Sequence, residues 1–283
     1  MPKLIHTAAL WSLVQYPSAE KEWDMERKLA AIKEAGFEAA ATQWRPETGA
    51  MARKLGLKCV GYVCSGTKSE FGPLLEVQRD SGAHHINVQM ADHDTPVEEA
   101  IDLAIHLMAE SRRLGVEAAL EVHRDTCTET PEKTFAIADG YQKATGELLP
   151  MTWDHSHIGV VKHLAPPFER CLERPDLIQR ASQMHMRPFN GHHCQVPVTN
   201  GHGELTQEVK DWLVFAESLL ALWLEGNRGV DRELYVVPEM GPVQGGYNLS
   251  TLPNSWEDAK VLRMFIGDIW QKLTGEENAA RPA

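Results

Sequence analysis

Four metal-capable side chains occupy equivalent places in this 283-residue sequence, each in or directly after a short apolar run. Glu121 follows Ala118-Ala119-Leu120, Asp154 follows Met151-Thr152-Trp153, His185 sits within Gln183-Met184-His185-Met186, and Glu239 follows Tyr235-Val236-Val237-Pro238. Taken singly, a carboxylate at the end of an apolar run is ordinarily a helix cap, a loop ion pair or a solvated group. A histidine in such a run is ordinarily a satisfied core residue. Together, three carboxylates and one imidazole offer hard oxygen donors and one nitrogen, a set suited to one divalent metal ion. Mn²⁺ fits best, with Mg²⁺, Co²⁺ or Zn²⁺ as further candidates. His157 lies three residues beyond Asp154 and is read as a substrate contact in the same loop cavity. His193 and His202, in the segment after His185, are weaker substrate-binding candidates, and Glu204 reads as a helix N-terminal carboxylate.

The elements that must position these groups recur as a unit of apolar run, polar loop, amphipathic helix and glycine. The predicted strands are residues 4–10, 37–42, 58–64, 84–90, 117–121, 148–154, 182–187 and 234–239. Helices are predicted over 23–35, 51–55, 73–79, 96–114, 131–145, 175–180, 205–225 and 256–273. Eight strands alternating with helices point to parallel pairing through helical crossovers, and eight such strands close without leaving an edge. The expected fold is therefore α/β, a single (β/α)₈ TIM barrel over residues 1–273, with 274–283 as a mobile tail. An open doubly wound sheet would ordinarily carry a glycine-rich phosphate loop after the first strand, and Trp11-Ser12-Leu13-Val14 is not one.

Composition narrows the partners. The net charge of −12 without a basic block disfavours nucleic acid. No apolar run approaches the roughly 20 residues that span a bilayer. Five scattered cysteines, without a C-x-x-C pair, suit a reducing compartment, so the chain reads as cytoplasmic. Pairing into a homo-oligomer through outer helices is compatible with the pattern. Trp212, Trp223, Trp256 and Trp270 nonetheless read as core at their helical spacing.

The order Glu, Asp-x-x-His, His, Glu across the last four strands resembles the xylose-isomerase-like sugar isomerase and epimerase superfamily. Within it the sequence is most similar to the ketose 3-epimerase, hydroxypyruvate isomerase and inosose dehydratase group. Asn200-Gly201-His202-Gly203-Glu204 is similar to a Gly-x-Gly-Glu turn found there. The resemblance implies Glu121, Asp154, His185 and Glu239 as metal ligands, with Glu121 and Glu239 also moving protons, one on each face of the substrate. It makes Arg187 the candidate for a substrate-binding arginine after the seventh strand. The implied activity is a metal-dependent isomerase or epimerase of a carbohydrate-like small molecule, transferring a proton through a metal-stabilised enediolate. Where ketose 3-epimerases commonly place a glutamate soon after the strand-five ligand, this chain reads Val122-His123-Arg124-Asp125.

Three other functions share these features. A lyase or dehydratase needs only one added general acid, for which His157 or His193 would serve. A non-catalytic sugar-binding barrel would keep the pocket without turnover. An endonuclease-IV-type nuclease needs further histidines after the third and fourth strands, where the chain has Val63-Cys64-Ser65 and Gln89-Met90-Ala91.

Overall fold

The computed structural model describes residues 1–275. Its eight parallel strands, β1 (Lys3–Ala9), β2 (Ala39–Ala41), β3 (Lys58–Ser65), β4 (Ala83–Met90), β5 (Glu117–Glu121), β6 (Met151–Trp153), β7 (Gln183–His185) and β8 (Glu233–Val237), close in sequence order into one barrel. Closure is made by β1 on β8, with Ile5 opposite Tyr235 and His6 opposite Val236. The helices between strands are α1 (Met25–Glu34), α2 (Pro46–Lys54), α3 (Lys68–Asp80), α4 (Val97–Leu114), α5 (Pro131–Thr145), α6 (His155–Val161), α7 (Pro175–Arg180) and α8 (Gln207–Asn227); α9 (Ser255–Thr274) follows β8. This is the expected (β/α)₈ architecture.

Local chemistry sets where these elements begin and end. Asp24, Thr130, Thr206 and Asn254 each cap a helix by accepting a backbone N–H. Helix α4 places Glu98 and Glu99 in its first turn, Arg112 and Arg113 in its last, and Gly115 in the left-handed conformation that ends it. Strands β6, β7 and β8 stop earlier than the apolar runs suggest. Pro238 lacks the N–H that would extend β8. Asp154 turns its side chain onto the backbone N–H of Ser156 and starts α6, a short helix absent from the sequence expectation. Helix α3 runs through Pro73 rather than starting on it. Thr274 ends α9 with Gly275 as its cap, and the remainder of the expected tail lies outside the described residues.

Most of the apolar core lies between the strands and the helices. Trp212, Trp223, Trp256 and Trp270 belong to it and are buried, as their spacing predicts. Inside the barrel, apolar packing is confined to a small plug of Ile5, Ala39 and Val60, against which Ala41 and Tyr235 rest. Beside and above it the interior is polar, with His85, Asn87, Glu121, Gln183 and His185 all buried. The polar interior opens at the C-terminal ends of the strands, where barrels of this architecture expose their loops. The five cysteines are unpaired, and no helix among the described residues is long and apolar enough to cross a membrane.

Helix α2 approaches the sheet through Gly49, where a Cβ would stand 2.0 Å from the Ser81 carbonyl oxygen. Backbone cannot yield as a flexible side chain can, so Gly49→Ala is expected to destabilise the protein by about 1–3 kcal/mol. Thermal denaturation should show a drop of roughly 2–4 °C per kcal/mol. An unchanged Tm would mean that α2 can move away from the barrel freely.

Candidate active site

The site is built from the ends of four consecutive strands. Glu121 is the last residue of β5, Asp154 follows β6, His185 ends β7, and Glu239 follows β8 after Pro238. Donor atoms of Glu121, Asp154 and His185 lie within 4.8 Å of one another, and all three residues are buried. Glu239 joins them from the side, with Oε2 at 3.2 Å from His185 Nδ1. His185 Nδ1 also stands 3.0 Å from Glu121 Oε1 and 3.6 Å from Asp154 Oδ2, yet makes no hydrogen bond. An unpartnered ring nitrogen facing three carboxylate oxygens suits a cation. Donors at right angles around an ion with 2.0–2.1 Å bonds stand about 3 Å apart.

Each group is held by its own strand or loop. Asn87 of β4 donates to Glu121 Oε2 at 2.7 Å, and Thr128 Oγ1 bonds the Glu121 carbonyl. Asp154 Oδ1 accepts from Ser156 N at 3.0 Å and Ser156 Oγ at 2.5 Å. Arg187 Nη2 donates to Asp154 Oδ2 at 2.5 Å and also to Glu239 Oε2. Burial alone would raise the Glu121 carboxyl, but His185 and His123 hold it down to about 2. Burial likewise opposes ionised Asp154 and Glu239, and the cationic side chains around them, Arg187 and His185 foremost, keep both below the usual carboxylate range. Burial would lower His185, yet Glu239 and Glu121 push it well above its ordinary value. Three carboxylates therefore face one arginine, and a divalent cation beside a neutral His185 would bring the charge to balance. The donor set, the unpartnered nitrogen and the charge all fit such an ion.

His185 Nε2 lies 2.7 Å from the Gln183 amide nitrogen, and the amide oxygen lies 2.8 Å from His85 Nε2. For Nδ1 to offer a lone pair, Nε2 must carry the proton and give it to an acceptor. A half-turn of the Gln183 amide leaves its heavy-atom positions occupied and satisfies both rings. The oxygen then accepts from His185, and the N–H donates to His85.

A cavity of about 390 Å³ opens above these groups. Its floor includes His185, Arg187 and Glu239, and its walls carry Trp11, Gln43, Tyr62, Asn87, Gln89, His123, Arg124 and Tyr247. The other expected substrate contacts are distributed unevenly. Arg187 lines the cavity, but it is fully buried and held by Asp154 and Glu239, so it serves the carboxylates first. His157 is buried behind Asp154, its Nε2 at 3.4 Å from Oδ2, and His123 packs edge-on over it at 4.4 Å. Burial holds His157 neutral, down to about 3. In this arrangement His157 packs against Asp154 without a hydrogen bond from Nε2, while His123 meets the cavity. His193 and His202 are exposed on the loop after β7, bonded to Asn190 and Asn200, and neither lines the cavity.

The sequence reading missed most of the wall. Tyr62, Asn87 and Gln89 come from the middles and ends of β3 and β4, where an alternating polar side chain in an apolar strand was the available signal. Tyr247 comes from a glycine-rich loop whose return to the cavity has no local signature.

No family model matches the sequence, and no curated protein matches it. Solved structures match along nearly the whole chain. An L-ribulose 3-epimerase aligns with a TM-score of 0.60 at 13% identity, covering 98% of this chain and 99% of the other. A xylose isomerase-like TIM barrel protein from Mycobacterium smegmatis in complex with magnesium gives 0.55 at 14% identity, covering 94% and 97%. The probable 3-DHS dehydratase of Bacillus anthracis gives 0.52 at 11% identity, covering 97% and 100%. The chain thus shares the (β/α)₈ fold of these proteins, the fold its resemblance implied. At these identities the likeness concerns the fold, which serves epimerase and dehydratase alike.

If Gln183 fixes the His185 tautomer, Gln183→Leu should weaken divalent cation binding roughly 10–100-fold, while Gln183→Glu retains most of it. Competition against a coloured chelator reads this directly, and equal affinities in the parent and the Leu variant would remove Gln183 from the site.

Proposed function

We propose that the protein is a divalent-metal-dependent isomerase or epimerase of a small carbohydrate-like carbonyl compound, and that it works in the cytoplasm. The observation that carries this reading is His185 Nδ1, buried without a hydrogen bond at 3.0–3.6 Å from three carboxylate oxygens beneath a polar cavity. Glu121, Asp154, His185 and Glu239 would hold the metal, with Mn²⁺ the best match to one nitrogen and several hard oxygens. When bound, such an ion supplies Lewis acidity toward a carbonyl and favours negative charge on the neighbouring oxygens.

The residues divide the remaining work. Glu239 keeps 14% of its side chain exposed to the cavity, against 1% for Glu121. That exposure supports Glu239 as the carboxylate that takes a proton from a carbon beside the substrate carbonyl. Glu121, steadied by Asn87, approaches from β5 and is the partner for returning a proton on the other face. Tyr62 and Gln89, bonded to each other at 2.6 Å, and Gln43 offer donors and acceptors for substrate hydroxyls. Arg187 keeps Asp154 and Glu239 ionised and in place.

A lyase is the second reading, supported by His123. This imidazole lines the cavity with its Nδ1–H given to the Arg124 carbonyl, so that Nε2 is the nitrogen left to pass a proton to a leaving group when the ring is doubly protonated. His123 takes this role in place of His157, which is covered, and His193, which is outside.

Metal content by plasma mass spectrometry is the first test. The parent should carry about one divalent ion per chain, strongly reduced in His185→Ala, while Glu239→Gln should slow turnover by a factor on the order of 10²–10⁴. Solvent deuterium should enter ketoses at the carbon beside the carbonyl in parent protein supplied with Mn²⁺. Failure to take up Mn²⁺, Co²⁺ or Zn²⁺ would overturn the proposal, and exchange followed by loss of water would select the lyase.

A further inference from the structure

The arginine at the cavity mouth is not paired as the one at the floor is. Arg187 is bound by two carboxylates, and the surface arginines Arg79, Arg112, Arg113 and Arg170 each meet an acidic partner. Arg124 does not. It follows Glu121 by three residues, lines the cavity, is exposed, and forms no ion pair with a described carboxylate. Its Nε donates to Tyr247 Oη at 2.5 Å, and its guanidinium carbon lies 5.0 Å from the Tyr247 ring centroid. Neither terminal nitrogen bonds another described residue. The ring is itself fixed, with Trp11 edge-on at 4.8 Å and Arg187 on it at 4.9 Å.

The side chain is therefore held from behind while its planar N–H fork is left free at the entrance. An arginine presented this way matches carboxylate or phosphate, which accept two parallel N–H bonds. Apart from the titratable His123, the polar wall residues Trp11, Gln43, Tyr62, Asn87 and Gln89 carry no charge, so Arg124 is the wall's permanent cation and has no ion-pair partner among the described residues. In a chain of net charge −12, a local cation at the mouth also selects for an anion that the surface at large repels.

We propose that Arg124 is an anion subsite, and that the substrate is a small polyhydroxylated carbonyl compound bearing a carboxylate or phosphate at the end remote from the reacting carbons. The cavity of about 390 Å³ lies at the small end of ligand sites, which suits a compound of sugar size. This rests on the reading of the floor as a proton-transfer site, because that reading fixes which end of the substrate points inward. Tyr247 is then a positioning residue acting through Arg124.

The test is calorimetric titration of the full chain loaded with Mn²⁺ with matched pairs: L-sorbose against 5-keto-D-gluconate, and D-ribulose against D-ribulose 5-phosphate. Metal content is measured on every sample. At least one anionic member should bind 10-fold or more tightly than its neutral counterpart, and the responding pair separates carboxylate from phosphate. Arg124→Gln should abolish that preference with its metal retained, and Arg124→Lys should keep part of it, as a point charge without the planar fork. Equal binding of neutral and anionic members, no binding of any, or a preference that survives in Arg124→Gln would overturn the subsite. Loss of metal or of deuterium exchange with the anion preference intact would instead count against the proposed reaction.

Discussion

Three carboxylates gathered around one buried imidazole are the constraint on which the rest of the structure depends. Glu121, Asp154 and Glu239 each approach His185 Nδ1 within 3.6 Å at the mostly buried floor of the cavity. Like charges so close repel strongly at low dielectric, and a buried unpaired charge costs several kcal/mol. The chain answers with Arg187, drawn fully inside between Asp154 and Glu239, and with neutral donors from Asn87 and Ser156. Such an arrangement is poor value as a stabilising device, since apolar residues of the same volume generally serve a fold as well or better. Its physical sense is as a place prepared for positive charge.

That preparation shapes the barrel. A packed TIM barrel fills its centre with branched apolar side chains. Here the apolar filling is reduced to Ile5, Ala39 and Val60, and a hydrogen-bonded ladder of His85, Gln183 and His185 rises beside it toward the site. Stability is carried instead by the shell between strands and helices, where the large buried side chains lie. The division allows the interior to be polar and hollow without undermining the fold. It also fixes the site rigidly, because its ligand-type residues end strands that the shell holds in register.

Long connections are used at the rim. The connections after β7 and β8 are long and glycine-bearing, and they bring in residues with no counterpart in the strand pattern. Tyr247 is the clearest case, since it touches Trp11 from the first βα connection, Arg124 from the fifth and Arg187 from the seventh. Rigid strand ends for the charges and a loop-borne ring for the entrance are a sensible separation. The floor must be accurate, whereas the entrance must discriminate.

The sequence by itself determined the barrel and the four residues at its heart, because both rest on local regularities. A strand buried on both faces reads as an apolar run, and a polar residue closing such a run stands out against it. The same logic was blind to geometry across the barrel. That Arg187 turns inward to Asp154 and Glu239, that His157 is shielded by His123, and that His193 and His202 stay outside depend on loop paths and side-chain directions. Those directions follow from which strand lies beside which and from how α6 starts at Asp154. Only the closed tertiary structure decided them, because side chains distant in sequence meet only after eight strands have been brought into one ring.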